Sequence, residues 1–104
     1  KYMCKYETVI LIKPSLDEKE IEQVKIDVEN KINEVGKVTK KEDVGLKKLA
    51  YEVKSNKEAY YVIYEYETNK AYEDSVKEVE KFYRMKEEIL KFITIREDNE
   101  WRFM

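Results

Sequence analysis

The sequence predicts an α+β fold, a ferredoxin-like βαββαβ sandwich in which two helices cover one face of a four-stranded antiparallel sheet. Strand and helix patterns alternate along the chain in the order β-α-β-β-α-β. Two right-handed β-α-β units joined by a hairpin give this split arrangement. The first and third strands contain the most apolar runs, VILI and YYVIY, so we expect them at the centre of the sheet.

The first third of the chain contains a strand and a long amphipathic helix. Residues 6–13 are apolar at positions of both parities, as expected for a strand that is covered on both faces. Ser15 followed by Glu18 predicts a capping box at the start of a helix over residues 16–35. Gly36 stands where a helix commonly ends in a glycine.

The second strand changes the parity of its apolar positions between Leu46 and Leu49. A strand that keeps one face buried cannot change parity without an extra residue. We therefore expect a β-bulge beside Gly45, with Gly45 at positive φ. We also expect the bulge to turn Lys47 and Lys48 so that they act as a pair.

The rest of the chain completes the pattern. The predicted segments are a second strand over residues 37–54, a turn at 55–58, an aromatic strand over 59–67, a helix capped by Thr68 or Asn69 that ends near residue 83, and a last strand over 89–96. Residues 1–97 are expected to form one domain and residues 98–104 a C-terminal tail.

Charge is divided unevenly between these elements. The chain of 104 residues has 21 basic and 23 acidic side chains and a net charge of −2. Residues 16–35 have a net charge of −4, whereas residues 36–54 have a net charge of +3. A phosphate backbone should therefore avoid the helices and approach the sheet. The alternative is that the strand lysines only keep the protein dispersed and protect the sheet edge.

Composition excludes several function classes. The chain has no histidine and a single cysteine, Cys4, so the common zinc ligand sets and the usual nucleophile–base pairs are absent. It has no glycine-rich phosphate loop, and its longest apolar run, residues 9–12, is too short to span a bilayer. We expect no enzymatic activity, no metal or other cofactor, no small-molecule substrate and no membrane. The lone cysteine favours a reducing compartment.

The third strand faintly matches the signature of RNA-recognition motifs at residues 57–64. Tyr61, Val62 and Tyr64 fit, but the glycine and the first aromatic residue of the signature are missing. Tyr61 and Ile63 lie on the face opposite Tyr60, Val62, Tyr64 and Tyr66. They could stack on bases or contact a protein, and the alternative is ordinary sheet packing.

Several features together resemble the S6 family of bacterial small-subunit ribosomal proteins, over residues 3–97. They are Tyr6-Glu7 at the first strand, Pro14 after it, the block GLKKLAY at residues 45–51, and Ile95-Arg96 at the end of the last strand. The resemblance implies the ferredoxin-like fold and a structural role in the small subunit of the cytoplasmic ribosome, with an organellar ribosome left open. It further implies binding of small-subunit (16S-type) rRNA jointly with ribosomal protein S18.

Positive charge, the faces of the third strand and the aromatic residues of the tail suggest candidate contact residues for these partners. For rRNA they are Lys5, Tyr6, Lys47, Lys48, Lys91 and Arg96. For the protein partner they are Tyr61, Ile63, Trp101 and Phe103. Two positions depart from the family pattern, because Cys4 precedes Lys5 where a basic pair is common and Glu52 follows Tyr51 where proline is common. The alternatives are a free-standing RNA-recognition module and a ferredoxin-like regulatory or dimerisation domain.

Overall fold

The computed structural model describes residues 3–97, and the predicted fold class and order of elements are confirmed. The elements are β1 (Cys4–Ile12), α1 (Glu18–Val35), β2 (Lys37–Val53), β3 (Asn56–Thr68), a 3-10 turn (Tyr72–Asp74), α2 (Val76–Met85) and β4 (Ile89–Arg96). All three strand pairs are antiparallel, and the strand order in the sheet is β2-β3-β1-β4. The first and third strands are therefore central, as the apolar runs predict.

The ladder between β1 and β3 sets the two faces of the sheet. It runs without a break from the pair Cys4–Thr68 to the pair Ile12–Tyr60. Because successive side chains alternate, even-numbered residues of both strands face the helices and odd-numbered residues face the other way. We call that other side the open face. The main core lies under the helices and includes Tyr6, Ile10, Ile12, Val62, Tyr64 and Tyr66 from the strands and Val24, Val28, Ile32, Val76, Val79 and Tyr83 from the helices.

Helix α1 begins two residues later than predicted, because its N-cap is Asp17 and not Ser15. The Glu20 backbone N–H donates to the Asp17 carboxylate (2.8 Å), and the Asp17 N–H donates to the Glu20 carboxylate (3.0 Å), which completes a capping box. This choice places Leu16 and Ile21 at the two positions of a hydrophobic staple, and both pack against the core. If Ser15 were the N-cap, a proline and a lysine would occupy the two staple positions in place of these large apolar residues.

Gly36 ends α1, but for a different reason from the one predicted. Its φ of −167° is extended, so the left-handed region is not used. A Cβ at this position would overlap the carbonyl oxygen of Glu67. The glycine is therefore required by the close approach of the helix end to β3.

Helix α2 also starts later than predicted, with Ser75 as its N-terminal flanking residue. The Thr68 hydroxyl does not cap it, because that hydroxyl donates to the carbonyl of Val35 at the end of α1 (2.7 Å). Lys70 N–H in turn donates to the Thr68 oxygen (3.1 Å). The side chain of Thr68 thus ties β3 to α1 and is not available to begin α2.

Strand β2 contains the predicted bulge. Asp43 pairs with Val62 and Gly45 pairs with Tyr61, so Val44 is the extra residue. Gly45 has φ of +96°, a conformation that residues with a side chain rarely adopt. Both the bulge and the positive φ are therefore confirmed.

The bulge does not turn the two lysines to one face, so that part of the prediction is wrong. After Gly45 the ladder is regular, with Lys47 opposite Ala59 and Lys48 opposite Glu58. Lys47 therefore lies on the open face and Lys48 on the side of the helices. The bulge precedes Gly45, and ordinary alternation resumes before the lysine pair.

A larger irregularity follows the lysine pair and explains the change of parity at Leu49. Four residues of β2, 49–52, stand opposite Lys57 alone. Leu49 and Val53 pack against a second apolar cluster on the open face, formed by Leu11, Ala59 and Leu90. We call residues 49–55 the hairpin arm, because this segment bends across the open face before the chain returns as β3.

A polar clamp joins α1 to the edge strand β2. Lys25 is only 4% exposed, and its ammonium donates to Asp43 (2.5 Å) and lies 2.8 Å from the Glu22 carboxylate. The Tyr60 hydroxyl donates to the other Asp43 oxygen (2.6 Å). Burial by itself would lower the pKa of Lys25, but its hydrogen bonds to Asp43 and Glu22 outweigh burial and raise the pKa. The hydrogen bond from Lys25, followed by that from Tyr60, lowers the pKa of Asp43.

We expect Gly45→Val to lower the free energy of unfolding by about 1–3 kcal/mol, the usual cost of a strained backbone conformation. No atom lies within 4 Å of a Cβ at this position, so the cost arises from the positive φ alone. Urea denaturation measures it. The control is Lys47→Val in the regular part of the same edge, with a change within about 0.5 kcal/mol. Equal losses in the two variants would contradict the strained bulge.

We expect Asp43→Asn to lower the free energy of unfolding near neutral pH by about 1–2 kcal/mol, since Lys25 loses a charged partner and Asp43 itself is partly screened by solvent. The folded pKa of Asp43 is depressed, so this stabilisation is present above about pH 4 and is lost as pH falls through the folded pKa.

The difference between the wild type and Asp43→Asn should therefore shrink in urea titrations repeated at about pH 3. Glu42→Gln is the matched control, because Glu42 is exposed and lies on the other face. A difference for Asp43→Asn that stays constant with pH would show that the charge of Asp43 contributes nothing.

Candidate functional site

The open face carries a strip of apolar side chains that no helix covers. Val9 and Ile63 are half-buried in the two central strands, whereas Ile93 and Ile95 of β4 are 48% and 51% exposed. We call these four residues the apolar strip. Ile63 was predicted to contact a protein. The contribution of β4 was missed, although β4 is apolar at both parities and this pattern could have indicated it.

The hairpin arm covers one end of the open face beside the strip. Tyr61, the other predicted contact residue of β3, packs against the second apolar cluster together with Leu49 and Val53. Tyr51 from the arm is 70% exposed, and the Lys91 ammonium lies 5.9 Å from the centre of its ring. Because the arm packs beside it, Tyr61 is poorly placed to stack on a free base.

Three carboxylates crowd the opposite end of the open face. Glu7 pairs directly with Glu65 across the two central strands, and Glu97 follows the end of β4, where its N–H donates to the Lys5 carbonyl (2.8 Å). Burial, a hydrogen bond with Glu65 and the negative charges of Glu65 and Glu7 raise the pKa of Glu97. This end of the face repels phosphate and favours a cationic partner.

The six residues predicted to contact rRNA do not form one site. Lys91 pairs with Leu11 of β1, whereas Lys5 lies six residues away on that strand, about 20 Å at the usual rise. Arg96 is at the same end of the sheet as Lys5 but lies on the helix side, where its guanidinium is 3.4 Å from the Cys4 sulfur. Lys47 lies at the same end of the sheet as Lys91 but on the opposite edge. The candidate residues are therefore divided between the two ends of the sheet.

Tyr6 is part of the core and not of the surface. It is 5% exposed, and its ring centre lies 5.7 Å from that of Tyr66. Its even position on β1 directs the ring towards the helices. A direct contact of this ring with RNA is therefore not supported. The predicted partner contacts Trp101 and Phe103 lie outside the described residues.

Several lysines of the helices have ionic partners, whereas three lysines at the hairpin end have none among the described residues. The described ion pairs of the helices involve Lys25, Lys31, Lys77 and Lys86. Within residues 3–97, by contrast, no carboxylate lies in ion-pair distance of Lys47, Lys48 or Lys91. The helices thus pair three of their lysines with carboxylates and leave Lys19 and Lys81 unpaired, while Lys47, Lys48 and Lys91 at the hairpin end are all unpaired.

The described part of the chain offers no metal site and no membrane helix. No group of three or more histidine, cysteine, aspartate or glutamate side chains within residues 3–97 is arranged to hold a metal ion. Neither helix in this range combines the length and the apolar composition needed to span a bilayer.

Comparison with known proteins connects this arrangement to one family. The family model described as ribosomal protein S6 matches residues 5–96. The chain belongs to the ribosomal protein S6 family. It is thus a component of the small ribosomal subunit, and members of this family are structural proteins and not enzymes. The predicted location on the ribosome follows from this membership.

Individual relatives agree with the family model. Small ribosomal subunit protein bS6 of Helicobacter hepaticus is 40% identical over 93 residues, which are 88% of this chain and 65% of the relative. That of Helicobacter acinonychis is 35% identical over 99 residues, 93% of this chain and 67% of the relative. The chain thus spans about two thirds of the length of these curated relatives.

A solved structure of the family has the same fold. The crystal structure of 30S ribosomal protein S6 from Thermotoga maritima superposes with a TM-score of 0.85 and is 32% identical in sequence. The match covers 92% of this chain and 89% of that structure. The S6 fold therefore accounts for nearly all of the described residues.

Proposed function

We propose that this S6-family protein binds small-subunit rRNA jointly with ribosomal protein S18, with a different surface for each partner. The observation that carries the proposal is the contrast in ionic pairing. Lys25, Lys31 and Lys77 of the helices have carboxylate partners, and the unpaired Lys19 lies on a helix of net charge −4. Lys47, Lys48 and Lys91 at the hairpin end have no such partner among the described residues. Free cations are the groups that displace counterions from a phosphate backbone.

The overall charge explains why a second protein is needed. With a net charge of −2, the chain has little long-range attraction for RNA, and its basic surface is local. Lys5 and Arg96 add positive charge at the far end, but Lys5 is close to the three carboxylates of Glu7, Glu65 and Glu97, and Arg96 lies on the other side of the sheet. A basic partner docked beside these carboxylates would cancel their repulsion and extend the positive surface.

The apolar strip supports the open face as the seat of S18. Ile93 and Ile95 are about half exposed, and exposed apolar residues gathered on one surface commonly mark a protein contact. The acidic end beside the strip suits a basic protein. Ile63 is a direct contact residue for S18 in this proposal. Tyr61 supports the same surface indirectly, because it packs against the hairpin arm.

We expect the isolated protein to bind its rRNA fragment weakly and the pair with S18 to bind it much more tightly. In the pair, each lysine that contacts a phosphate should reduce the salt slope of binding by about one unit when it is changed to glutamine. Filter binding at several salt concentrations measures both quantities for Lys47→Gln, Lys48→Gln and Lys91→Gln. Lys19→Gln on the acidic helix is the control and should leave the slope unchanged. Equal affinity with and without S18 would refute joint binding.

We expect Ile93→Lys to raise the Kd of the complex with S18 by about tenfold or more. Placing a charge in the core of an interface is unfavourable, and tenfold corresponds to about 1.4 kcal/mol of binding free energy. Isothermal titration calorimetry with purified S18 measures this. The matched control is Ile26→Lys, since Ile26 is 46% exposed on α1, away from the sheet. Similar losses in both variants, or no loss in Ile93→Lys, would remove S18 from the open face.

A further inference from the structure

A small cleft lies where the hairpin arm reaches the start of β4. It encloses about 260 Å³, and three of its lining residues are cationic, Lys54, Arg84 and Lys91. Its other walls are mainly apolar and include Leu90 and Phe92, and no described carboxylate lines it. Three cationic residues therefore border one cleft at the edge of β4, beside an apolar wall near which electrostatic attraction is stronger than in open water.

The turn of the hairpin holds Lys54 in place. Lys54 and Ser55 have φ of 48° and 68°, so this two-residue turn has positive φ at both central positions, as type I′ turns require. The Asn56 side-chain amide donates to the Lys54 carbonyl (2.9 Å). Neither turn residue is a glycine, so both hold a backbone conformation that residues with a side chain rarely adopt.

Arg84 and Lys91 come from the other side of the cleft. Arg84 is in the last turn of α2, and its guanidinium carbon lies 5.4 Å from the centre of the Phe92 ring. Stacking of this kind leaves the planar donors of a guanidinium free to bind a phosphate in a bidentate manner. None of the three cations has a carboxylate partner within residues 3–97.

We propose that this cleft is a seat for one phosphodiester group of RNA, with Arg84 as its central ligand and Lys54 and Lys91 as flanking charges. The inference rests on the proposed RNA binding and names a part of that surface which the sequence did not indicate. The volume is below the usual range for a site that encloses a whole drug-sized ligand, and it suits a phosphate with its two ester oxygens. Three unpaired cations with no opposing acid favour this occupant over a segment of protein.

The first test compares two variants that have the same change of net charge. Lys54→Gln/Arg84→Gln removes the two cleft cations that the preceding RNA-binding test leaves unchanged, and Lys19→Gln/Lys70→Gln removes two exposed lysines elsewhere. In complex with S18, the cleft variant should bind the rRNA fragment about tenfold or more weakly, with a salt slope smaller by about one unit. The control variant should retain the wild-type slope. All four side chains are exposed, and circular dichroism checks that both variants remain folded.

A second measurement does not depend on S18. Inorganic phosphate and a short oligouridylate are titrated into the full-length protein, and NMR shifts of the Arg84 and Lys54 signals are followed. Both ligands should shift these signals in the wild type, and Arg84→Lys should weaken the effect because it keeps the charge but loses the bidentate donors.

The outcomes separate the cleft from the wider proposal. If the wild-type pair does not bind the rRNA fragment, the proposed function fails whatever the phosphate titration gives. If the pair binds and the cleft variant behaves like the control, the cleft inference is overturned and the proposed function stands. If the cleft variant loses S18 binding but keeps RNA binding, the cleft is a protein contact, and the inference of a phosphate seat is overturned.

Discussion

The unbroken ladder between β1 and β3 is the constraint on which the rest of the molecule depends. Its nine consecutive pairs assign every residue of the two central strands to one of two faces. Even positions such as Ile10 and Tyr64 must be covered, and α1 and α2 provide the cover. Odd positions such as Val9 and Ile63 are left on a face that no helix reaches. The same alternation thus builds the core and leaves the surface proposed for a partner.

The edge strand β2 departs from regular pairing in ways that serve both faces. Asp43 lies on the helix side directly before the bulge at Val44, and there it holds the buried ammonium of Lys25. Its wider irregularity over residues 49–52 lets the hairpin arm cross the open face and carry Lys54 towards β4. A hairpin with regular pairing throughout would extend straight past the sheet, and its arm would not cross the open face. Irregular edges also discourage unwanted strand pairing.

Ionic pairing explains how an acidic protein can belong to a ribonucleoprotein. The helices contain an excess of carboxylates, and these hold lysines such as Lys31 and Lys77 in local pairs. Pairs of this exposed kind add little stability, but they neutralise positive charge where RNA is not expected. Positive charge without partners is left at the hairpin end. The distribution of charge, and not its sum, therefore indicates where a phosphate backbone can approach.

The sequence by itself determined the order of elements, the central and edge strands, the bulge beside Gly45 and the family, because these depend on periodicity and on residues close together in the chain. Only the tertiary structure decided which faces Lys47 and Lys48 occupy, that Tyr6 is a core residue, and that Gly36 is needed by the approach of β3. It also brought together Lys54, Arg84 and Lys91, which no local pattern connects. Each of these outcomes depends on pairing register or on contacts between distant segments, and neighbouring residues alone do not encode such contacts.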